Sequence, residues 1–278
     1  MEHGAFNLKK DGVEVVDYSP DLRQSVENVA QLWQLFCQLP TEVKQAFSSN
    51  DNQWTVGYEA KDGSGSHGDV KENFDFAPSG MKEFKRAIAE LDNNTVAKQF
   101  IEAALRLDTQ ITPLVLQFGR RMEYEYGIEG FEALARKSVK NAFFRFLHYP
   151  GGRGAGDVIA EPHVDHSGFT FHLFETTDGC ERLTFNGEWE SLPVAEGEAV
   201  TFASMQTQLV SNGEIKGLTH RVIANETSAR VGRYAIVCFI ALEGVPGYDK
   251  TTHGRLQEKE PGFNYAIDTS KFEKLFKN

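Results

Sequence analysis

The spacing of apolar residues changes character near residue 140. Before this point, apolar residues recur at three- and four-residue intervals, which is typical of helices with one buried face. The pattern predicts helices over Val26–Leu39, over about 81–91, and from about Thr95 to Tyr126, with a start or kink at Pro113. The segment Asp51–Gly80 is rich in Gly, Ser, Asp and Asn, and it therefore predicts a long loop.

After Ser138 the pattern becomes short and β-like. Runs rich in β-branched and aromatic residues alternate with turn-forming clusters, which predicts strands at Ala142–Tyr149, Phe169–Phe174, Val200–Ala203 and Tyr234–Leu242. Helices followed by many short strands favour a mainly β fold with flanking helices. We expect a double-stranded β-helix, or jelly roll, with the N-terminal helical region packed on it.

No linker separates the two halves, so the sequence predicts a single domain over residues 1–278. Its parts would be a helix-rich region over about 1–140, a jelly-roll core over about 141–243 and a C-terminal tail over about 244–278. This length is within reach of one β-rich domain.

Charge and composition exclude several function classes. The chain carries 29 basic and 40 acidic residues, a formal net charge of −11, which argues against binding to nucleic acid or to an anionic membrane. No apolar run approaches the roughly 20 residues that span a bilayer. The N-terminus lacks the residue order of a signal peptide, and the three cysteines form no disulfide framework, so we expect a reducing, cytoplasmic setting.

One set of polar residues has the composition of a metal site. His163 and Asp165 are separated by one residue, and on a strand such residues point to the same face. His220 begins a second strand-like run and could supply a third ligand. Two imidazoles and one carboxylate form the facial triad of non-haem Fe(II) oxygenases, which leaves coordination positions open for cosubstrate and O2.

The residues around this set carry a family resemblance. The segment His163–Phe174 is similar to an H-T-D-x-x-x-L-T-x-L motif. A second motif, Q-x-Q-x-x-S-N-G…HRV, is similar to Gln206–Gly213 followed by Thr219–Val222. Both motifs are typical of the 2-oxoglutarate/Fe(II) dioxygenases of the isopenicillin N synthase and plant flavonoid-oxygenase type. Weaker similarities to this family extend the resemblance over nearly the whole chain and lie at Phe36–Lys44, Lys71–Asp75 and Leu147–Pro150.

The resemblance implies a cofactor set and its ligands. Fe(II) would be held by His163, Asp165 and His220, with 2-oxoglutarate as cosubstrate and O2 as oxidant. In the family, an arginine about ten residues after the second histidine binds the free carboxylate of 2-oxoglutarate. A planar, permanently charged guanidinium suits this task. Tyr149 is the second expected contact to that carboxylate.

The position of this arginine is open between two residues. The count from His220 gives Arg230, whereas continuity with the apolar strand that follows gives Arg233. We expect the turn Asn225–Ala229 to place His220 and the arginine side by side across a hairpin. Because a shift of one residue reverses the face of every side chain, the sequence does not decide the register. Strand continuity favours Arg233.

Substrate contacts are predicted by strand parity. Arg145 shares the parity of Tyr149, so it would also face the barrel interior, where a buried charge needs a partner. That partner is either an anionic group of the substrate or a carboxylate of the protein. Phe239 shares the parity of Arg233 and could line the same pocket.

We therefore expect a non-haem Fe(II)- and 2-oxoglutarate-dependent dioxygenase. It would oxidise a small molecule, with hydroxylation as the favoured outcome and succinate and CO2 as coproducts. One alternative is an Fe(II) oxidase of the same fold that does not use 2-oxoglutarate. Two departures from the family motifs favour this alternative. The residue two positions after Arg233 is alanine where the family has serine, and Leu147 stands where the family has asparagine. Another alternative is a non-catalytic binding protein. Substrate identity and oligomeric state stay open.

Overall fold

The computed structural model describes residues 6–48, 56–63, 70–91, 94–195 and 197–246. The expected C-terminal tail falls almost wholly outside these residues, as does the first part of the N-terminus. That the chain forms one domain stays a prediction.

Helices dominate the first half of the described chain. They are α1 Leu8–Asp11, α2 Pro20–Cys37, α3 Thr41–Gln45, α4 Met81–Glu90, α5 Thr95–Gln110, α6 Thr112–Tyr124 and α7 Phe131–Ser138, with α8 Met205–Val210 and α9 Glu226–Val231 later in the chain. The predicted break at Pro113 is confirmed, because α5 ends at Gln110 and Pro113 lies in the first turn of α6.

The strands form two antiparallel sheets. They are β1 Glu14–Asp17, β2 Gly57–Asp62, β3 Val70–Phe76, β4 Ala142–Tyr149, β5 Val158–His163, β6 Phe169–Glu175, β7 Cys180–Leu183, β8 Trp189–Ser191, β9 Glu198–Ala203, β10 His220–Ile223 and β11 Arg233–Ile240. The large sheet has the order β1-β9-β6-β11-β4-β3-β2, and the small sheet has the order β5-β10-β7-β8. The predicted jelly-roll core with helices packed on it is confirmed.

The prediction of a loop over Asp51–Gly80 is wrong in part. Its described residues include β2 and β3, which pair in register and extend the large sheet beside β4. Tyr58, Phe74 and Phe76 are buried against the helices. The burial of these three aromatic side chains stabilises the two strands. The polar and small residues around them obscured the strand pattern in the sequence.

The main core lies between the helices and the outer face of the large sheet. Trp33 and Phe36 of α2 and Phe100 of α5 pack against Phe74 and Phe146 of the sheet, with ring centroids 5.0–6.2 Å apart. All five side chains are fully buried. The helices thus bury one face of the large sheet in an apolar core, and the other face is available for polar side chains.

Candidate active site

The inner face of the large sheet is one wall of a cavity of about 320 Å³. Strand β4 presents Arg145, Leu147 and Tyr149 to it, and the facing strand β11 presents alternate residues from Arg233 to Phe239. The neighbours in between, Phe144, Phe146, Ile236 and Cys238, belong to the core on the other face. Strand parity therefore predicted correctly which side chains of β4 and β11 line the cavity.

The opposite wall carries the two histidines of the predicted triad. His163 ends β5 and His220 begins β10, and the two are register partners in the small sheet. Their rings lie 4.3 Å apart, and Phe202 packs 5.1 Å from the His220 ring. The side chain of His163 is half exposed, whereas His220 is buried.

Asp165 completes the set, but it does not lie on a strand. Strand β5 ends at His163, and Asp165 follows in the loop that leads to β6. The expected strand alternation therefore does not explain its orientation. Instead, Thr170 of β6 donates a hydrogen bond of 2.6 Å to Asp165 Oδ2, which leaves Oδ1 directed at the histidines.

The ligand atoms converge on one point. Asp165 Oδ1 lies 3.6 Å from His163 Nε2 and 3.8 Å from His220 Nε2. One ligand atom from each of the three residues can be chosen so that all lie within 4.8 Å of one another. This is the arrangement that a single ion with a 2-His-1-carboxylate ligand set requires.

Backbone carbonyls orient both imidazoles. His163 Nδ1 lies 2.7 Å from the carbonyl oxygen of Glu161, and His220 Nδ1 lies 3.2 Å from that of Leu218. With Nδ1 as the donor in each ring, Nε2 keeps its lone pair and faces Asp165. A hydrogen bond on the second ring nitrogen is the usual means of fixing a metal-binding histidine.

The protonation states of His220 and Asp165 favour the binding of a cation. Burial lowers the pKa of His220, so its imidazole is neutral and able to ligate at pH 7. Burial opposes ionisation of Asp165, but His220, His163 and the Thr170 hydroxyl together hold the pKa of this carboxyl below its usual value. The site thus combines a neutral imidazole at His220 with an ionised carboxylate at Asp165.

Of the two candidate arginines, only Arg233 faces the cavity. Arg230 lies exposed on α9, whereas Arg233 is 1% exposed at the first position of β11. Gly232 separates them at φ 86°, and a Cβ there would come within 2.7 Å of the Tyr149 carbonyl oxygen. The helix–Gly–strand junction, rather than the predicted hairpin, positions Arg233, because β10 and β11 belong to different sheets.

Arg233 and Tyr149 are cross-strand partners, and both line the cavity. Tyr149 is 3% exposed. The Arg233 guanidinium is paired with Glu175, and its Nε donates a hydrogen bond of 3.2 Å to the Thr177 carbonyl oxygen. The predicted anion site therefore contains a protein carboxylate that sequence reasoning missed.

Arg145 also has a protein carboxylate as partner. Its Nε and Nη2 each donate a hydrogen bond of 2.7 Å to Asp75 of β3, in a two-pronged ion pair. The Arg145 side chain is nevertheless 36% exposed, and its guanidinium carbon lies 5.8 Å from the centre of the Phe239 ring. The sequence left open whether Arg145 pairs with the substrate or with a protein carboxylate, and in the structure its partner is the carboxylate of Asp75. Part of the Arg145 side chain nevertheless stays accessible.

The residues missed by sequence reasoning are Thr170, Asp75, His172 and Glu175. Thr170 and His172 lie two residues apart on a predicted strand, so alternation alone could have placed them on the cavity side. Asp75 could not be found this way, because the strand that carries it was expected to be a loop.

A second cluster of potential ligands lies on the outer face of the large sheet. Ligand atoms of Cys37, Glu72 and His148 approach one another within 4.8 Å. Glu72 already accepts hydrogen bonds of 2.7 Å from Lys44 and Tyr58 at one oxygen, and its other oxygen lies 2.7 Å from His148 Nδ1. The ammonium group beside Glu72 disfavours a second cation, so we interpret this cluster as a structural ion pair network.

Comparisons with known proteins agree with this site. Residues 140–242 match the family model of the 2OG-Fe(II) oxygenase superfamily, a span that contains all three triad residues. The chain is 22% identical over 245 residues to a 2-oxoglutarate-dependent dioxygenase 21 (chloroplastic) of Oryza sativa, covering 83% of this chain and 66% of that protein. It is 24% identical over 250 residues to a leucoanthocyanidin dioxygenase of Malus domestica, covering 86% and 65%.

The chain thus spans slightly less than two thirds of the length of these two relatives. Among solved structures, the dioxygenase for auxin oxidation 1 of Arabidopsis thaliana, in a binary complex with 2-oxoglutarate, has a TM-score of 0.66 at 16% identity. The alignment covers 87% of each chain. This similarity confirms the fold of the described residues.

Proposed function

We propose that the chain is a member of the 2OG-Fe(II) oxygenase superfamily, whose model matches residues 140–242, and that it is an Fe(II)- and 2-oxoglutarate-dependent dioxygenase that oxidises a small molecule. The observation that carries this proposal is the convergence of His163, Asp165 and His220 at one end of a cavity that also contains a buried arginine. Hydroxylation is the favoured outcome.

The triad would hold the iron. His163 Nε2, His220 Nε2 and Asp165 Oδ1 are the three donors, and the hydrogen bonds on the other atoms of these side chains keep them in place. When bound, Fe(II) with 2-oxoglutarate and O2 supplies the oxidising power, and succinate and CO2 are the coproducts.

Arg233 and Tyr149 would bind the free carboxylate of 2-oxoglutarate. Arg233 is buried, positively charged and held at two of its nitrogens, so little conformational freedom is lost when an anion binds. Tyr149 lies opposite it on β4 and presents a phenol to the same end of the cavity.

Arg145 and Phe239 would contact the substrate. They lie together on the inner face, and Asp75 fixes the guanidinium from the side of β3. The accessible part of Arg145 can donate to an oxygen of the substrate, and Phe239 offers an apolar surface beside it. Phe202 and Val222 also line the cavity, and their apolar side chains would limit water near the triad.

The alternatives predict different behaviour. An oxidase of this fold would bind iron at the triad and use Arg233 for its substrate, without forming succinate. A non-catalytic binding protein has no need of two imidazoles whose second nitrogens are fixed by backbone carbonyls. That observation favours a metal-dependent enzyme.

Location and partners are part of this proposal. In the described residues, no helix is both long and apolar enough to cross a membrane. Cys37, Cys180 and Cys238 are buried free thiols, which supports the proposed reducing, cytoplasmic setting. The acidic net charge of −11 supports a small-molecule substrate over nucleic acid.

The first test is anaerobic Fe(II) titration with and without 2-oxoglutarate, followed by visible absorption. Binding of 2-oxoglutarate to iron through two oxygens gives a weak charge-transfer band. We expect a band that needs both components and that is lost in His220→Ala. Iron binding without the band would favour the oxidase, and folded protein that binds no iron would favour the binding protein.

A further inference from the structure

A bulge in β6 directs a histidine and a glutamate into the same site. His172 pairs with Val237 of β11 and Phe174 pairs with the adjacent Ile236, so Leu173 is an extra residue in β6. Without the bulge, His172 and Glu175 would face opposite sides of the sheet, because they are three residues apart. With it, both lie on the face that carries Arg233.

These side chains form a buried charged group behind the predicted cosubstrate site. Glu175 Oε2 pairs with Arg233 Nη2 and lies 3.2 Å from His172 Nε2. All three side chains are at least nine-tenths buried. His172 and Arg233 line the active-site cavity, whereas Glu175 lines a separate cavity that also includes Tyr18 and Leu173. Glu175 therefore contacts both His172 and Arg233 from behind.

Two features of this group point to a ligand in front of it. First, His172 Nε2 is buried and makes no hydrogen bond within the described part of the chain, although it lies at ion-pair distance from Glu175. An unused buried donor of this kind costs free energy unless something else satisfies it. Second, Glu175 neutralises Arg233, so the arginine alone is a weak site for another carboxylate. Ala235, the next inward residue of β11, offers no donor.

We propose that His172 is a further binding residue for the distal carboxylate of 2-oxoglutarate, and that Glu175 is the counter-ion that positions His172 and Arg233 and limits their affinity for this ligand. The inference rests on the proposed function. His172 Nε2 donates a hydrogen bond to the incoming carboxylate beside the guanidinium of Arg233. Glu175 keeps Arg233 ordered in the free enzyme, but its negative charge opposes the second carboxylate.

This arrangement gives two substitutions opposite effects. Removal of the His172 donor weakens binding of 2-oxoglutarate, because one hydrogen bond to a charged group is lost. Removal of the Glu175 charge strengthens it, because repulsion between carboxylates is lost. Glutamine at position 175 keeps an oxygen acceptor for Arg233, and the Thr177 carbonyl still holds Nε. A role in folding alone would make both changes weaken binding.

The experiment is anaerobic calorimetry of ligand binding to the Fe(II)-loaded full chain. The probes are 2-oxoglutarate and 2-oxopentanoate, which has the same metal-binding end but a methyl group in place of the distal carboxylate. The variants are His172→Leu, His172→Gln and Glu175→Gln. The matched control is Glu181→Gln, which removes the charge from another cross-strand ion pair, with Arg221, at a distance of 2.7 Å.

We expect His172→Leu to raise the Kd for 2-oxoglutarate about tenfold, which corresponds to one hydrogen bond to a charged group. His172→Gln keeps a donor and should recover most of this loss. Glu175→Gln should lower the Kd several-fold, and Glu181→Gln should leave it unchanged. The Kd for 2-oxopentanoate should be the same in all four variants.

Two results would overturn the inference while the proposed function stands. One is a wild-type Kd for 2-oxoglutarate in His172→Leu. The other is weaker binding in Glu175→Gln, which would identify the pair as a support for Arg233 alone. If the wild-type protein binds Fe(II) but not 2-oxoglutarate, the proposed function and this inference both fail.

Discussion

His163 lies directly opposite His220 in the antiparallel pair of β5 and β10, with ring centroids 4.3 Å apart. The pairing brings together the end of one strand and the beginning of another. Each ring is then turned by a hydrogen bond to a backbone carbonyl of its own chain segment, two residues earlier. Register and backbone geometry thus build two thirds of the candidate metal site before Asp165 is considered.

The first prediction concerns the assignment of the metal to this site. His220→Ala should lower Fe(II) affinity at least 100-fold, since loss of a ligand should cost more than the 10- to 100-fold typical of an outer-shell change. Anaerobic equilibrium dialysis with metal analysis measures the affinity, and circular dichroism checks folding. The matched control is His148→Gln in the outer cluster with Cys37 and Glu72, which should bind iron as the wild type does. Equal losses in both variants would contradict the assignment.

The second prediction concerns the orientation of Asp165. Thr170→Val removes the hydroxyl that donates to Asp165 Oδ2 at 2.6 Å but keeps the side-chain volume. We expect a 10- to 100-fold loss of Fe(II) affinity, as is typical when a partner of a metal ligand is removed. Thr170→Ser keeps the hydroxyl and should restore most of the affinity. An unchanged affinity in Thr170→Val would show that the loop alone holds Asp165.

The third prediction separates substrate binding from folding at Arg145. Arg145→Ala should lower kcat/KM for the substrate at least tenfold, because the accessible part of the guanidinium is lost. The Kd for 2-oxoglutarate should stay within about twofold, because Arg145 is two strand positions from Leu147 and four from Tyr149 on the same face. Succinate release under saturating 2-oxoglutarate measures the first quantity, and anaerobic calorimetry measures the second.

The control for Arg145 is its partner Asp75. Asp75→Asn leaves Arg145 with weaker hydrogen bonds and should lower the free energy of unfolding by about 1–3 kcal/mol. The lower part of this range is expected, since the Arg145 side chain is 36% exposed and solvent screens its charge. An Arg145→Ala variant that is folded, less stable and still has the wild-type kcat/KM would show that the ion pair is structural and that the substrate role is wrong.

The sequence predicted which side chains of β4 and β11 lie on the inner face, because the alternation of side chains along a strand depends only on the strand being continuous. Arg145, Tyr149, Arg233 and Phe239 all line the cavity. The choice between Arg230 and Arg233 could not be derived from spacing, because it depends on where α9 ends. Gly232 ends that helix at a positive φ that few other residues adopt, and the strand then begins with Arg233.

Two further features were beyond the reach of the sequence. The bulge at Leu173 changes the parity of β6 between His172 and Glu175, and a single extra residue leaves no mark in the composition. Asp165 lies in a loop, and its orientation depends on a hydrogen bond from another segment, Thr170. The HxD spacing identified residues that converge in the structure, but the expected strand alternation does not explain how Asp165 reaches the histidines.

The last prediction concerns the outer network around Glu72, which lies behind the cavity wall. Burial raises the pKa of this carboxyl, but hydrogen bonds from His148, Lys44 and Tyr58 outweigh burial and hold its pKa at about 2, below the ordinary value of 4.5. The unfolded chain therefore binds this proton more readily than the folded protein does. The network should stabilise the fold fully above about pH 4.5 and lose that contribution as the pH falls towards 2.

Glu72→Gln should remove this pH dependence. At pH 6 the wild type should exceed the variant in free energy of unfolding by on the order of 2–3 kcal/mol, and by progressively less at pH 4 and pH 3. Urea denaturation at these three values measures the difference. Glu59→Gln is the control, because Glu59 lies on the adjacent β2 with its side chain 53% exposed and should show a small, nearly constant difference. A wild-type advantage that does not shrink towards pH 3 would mean that packing, rather than the charge of Glu72, holds Lys44, Tyr58 and His148 together.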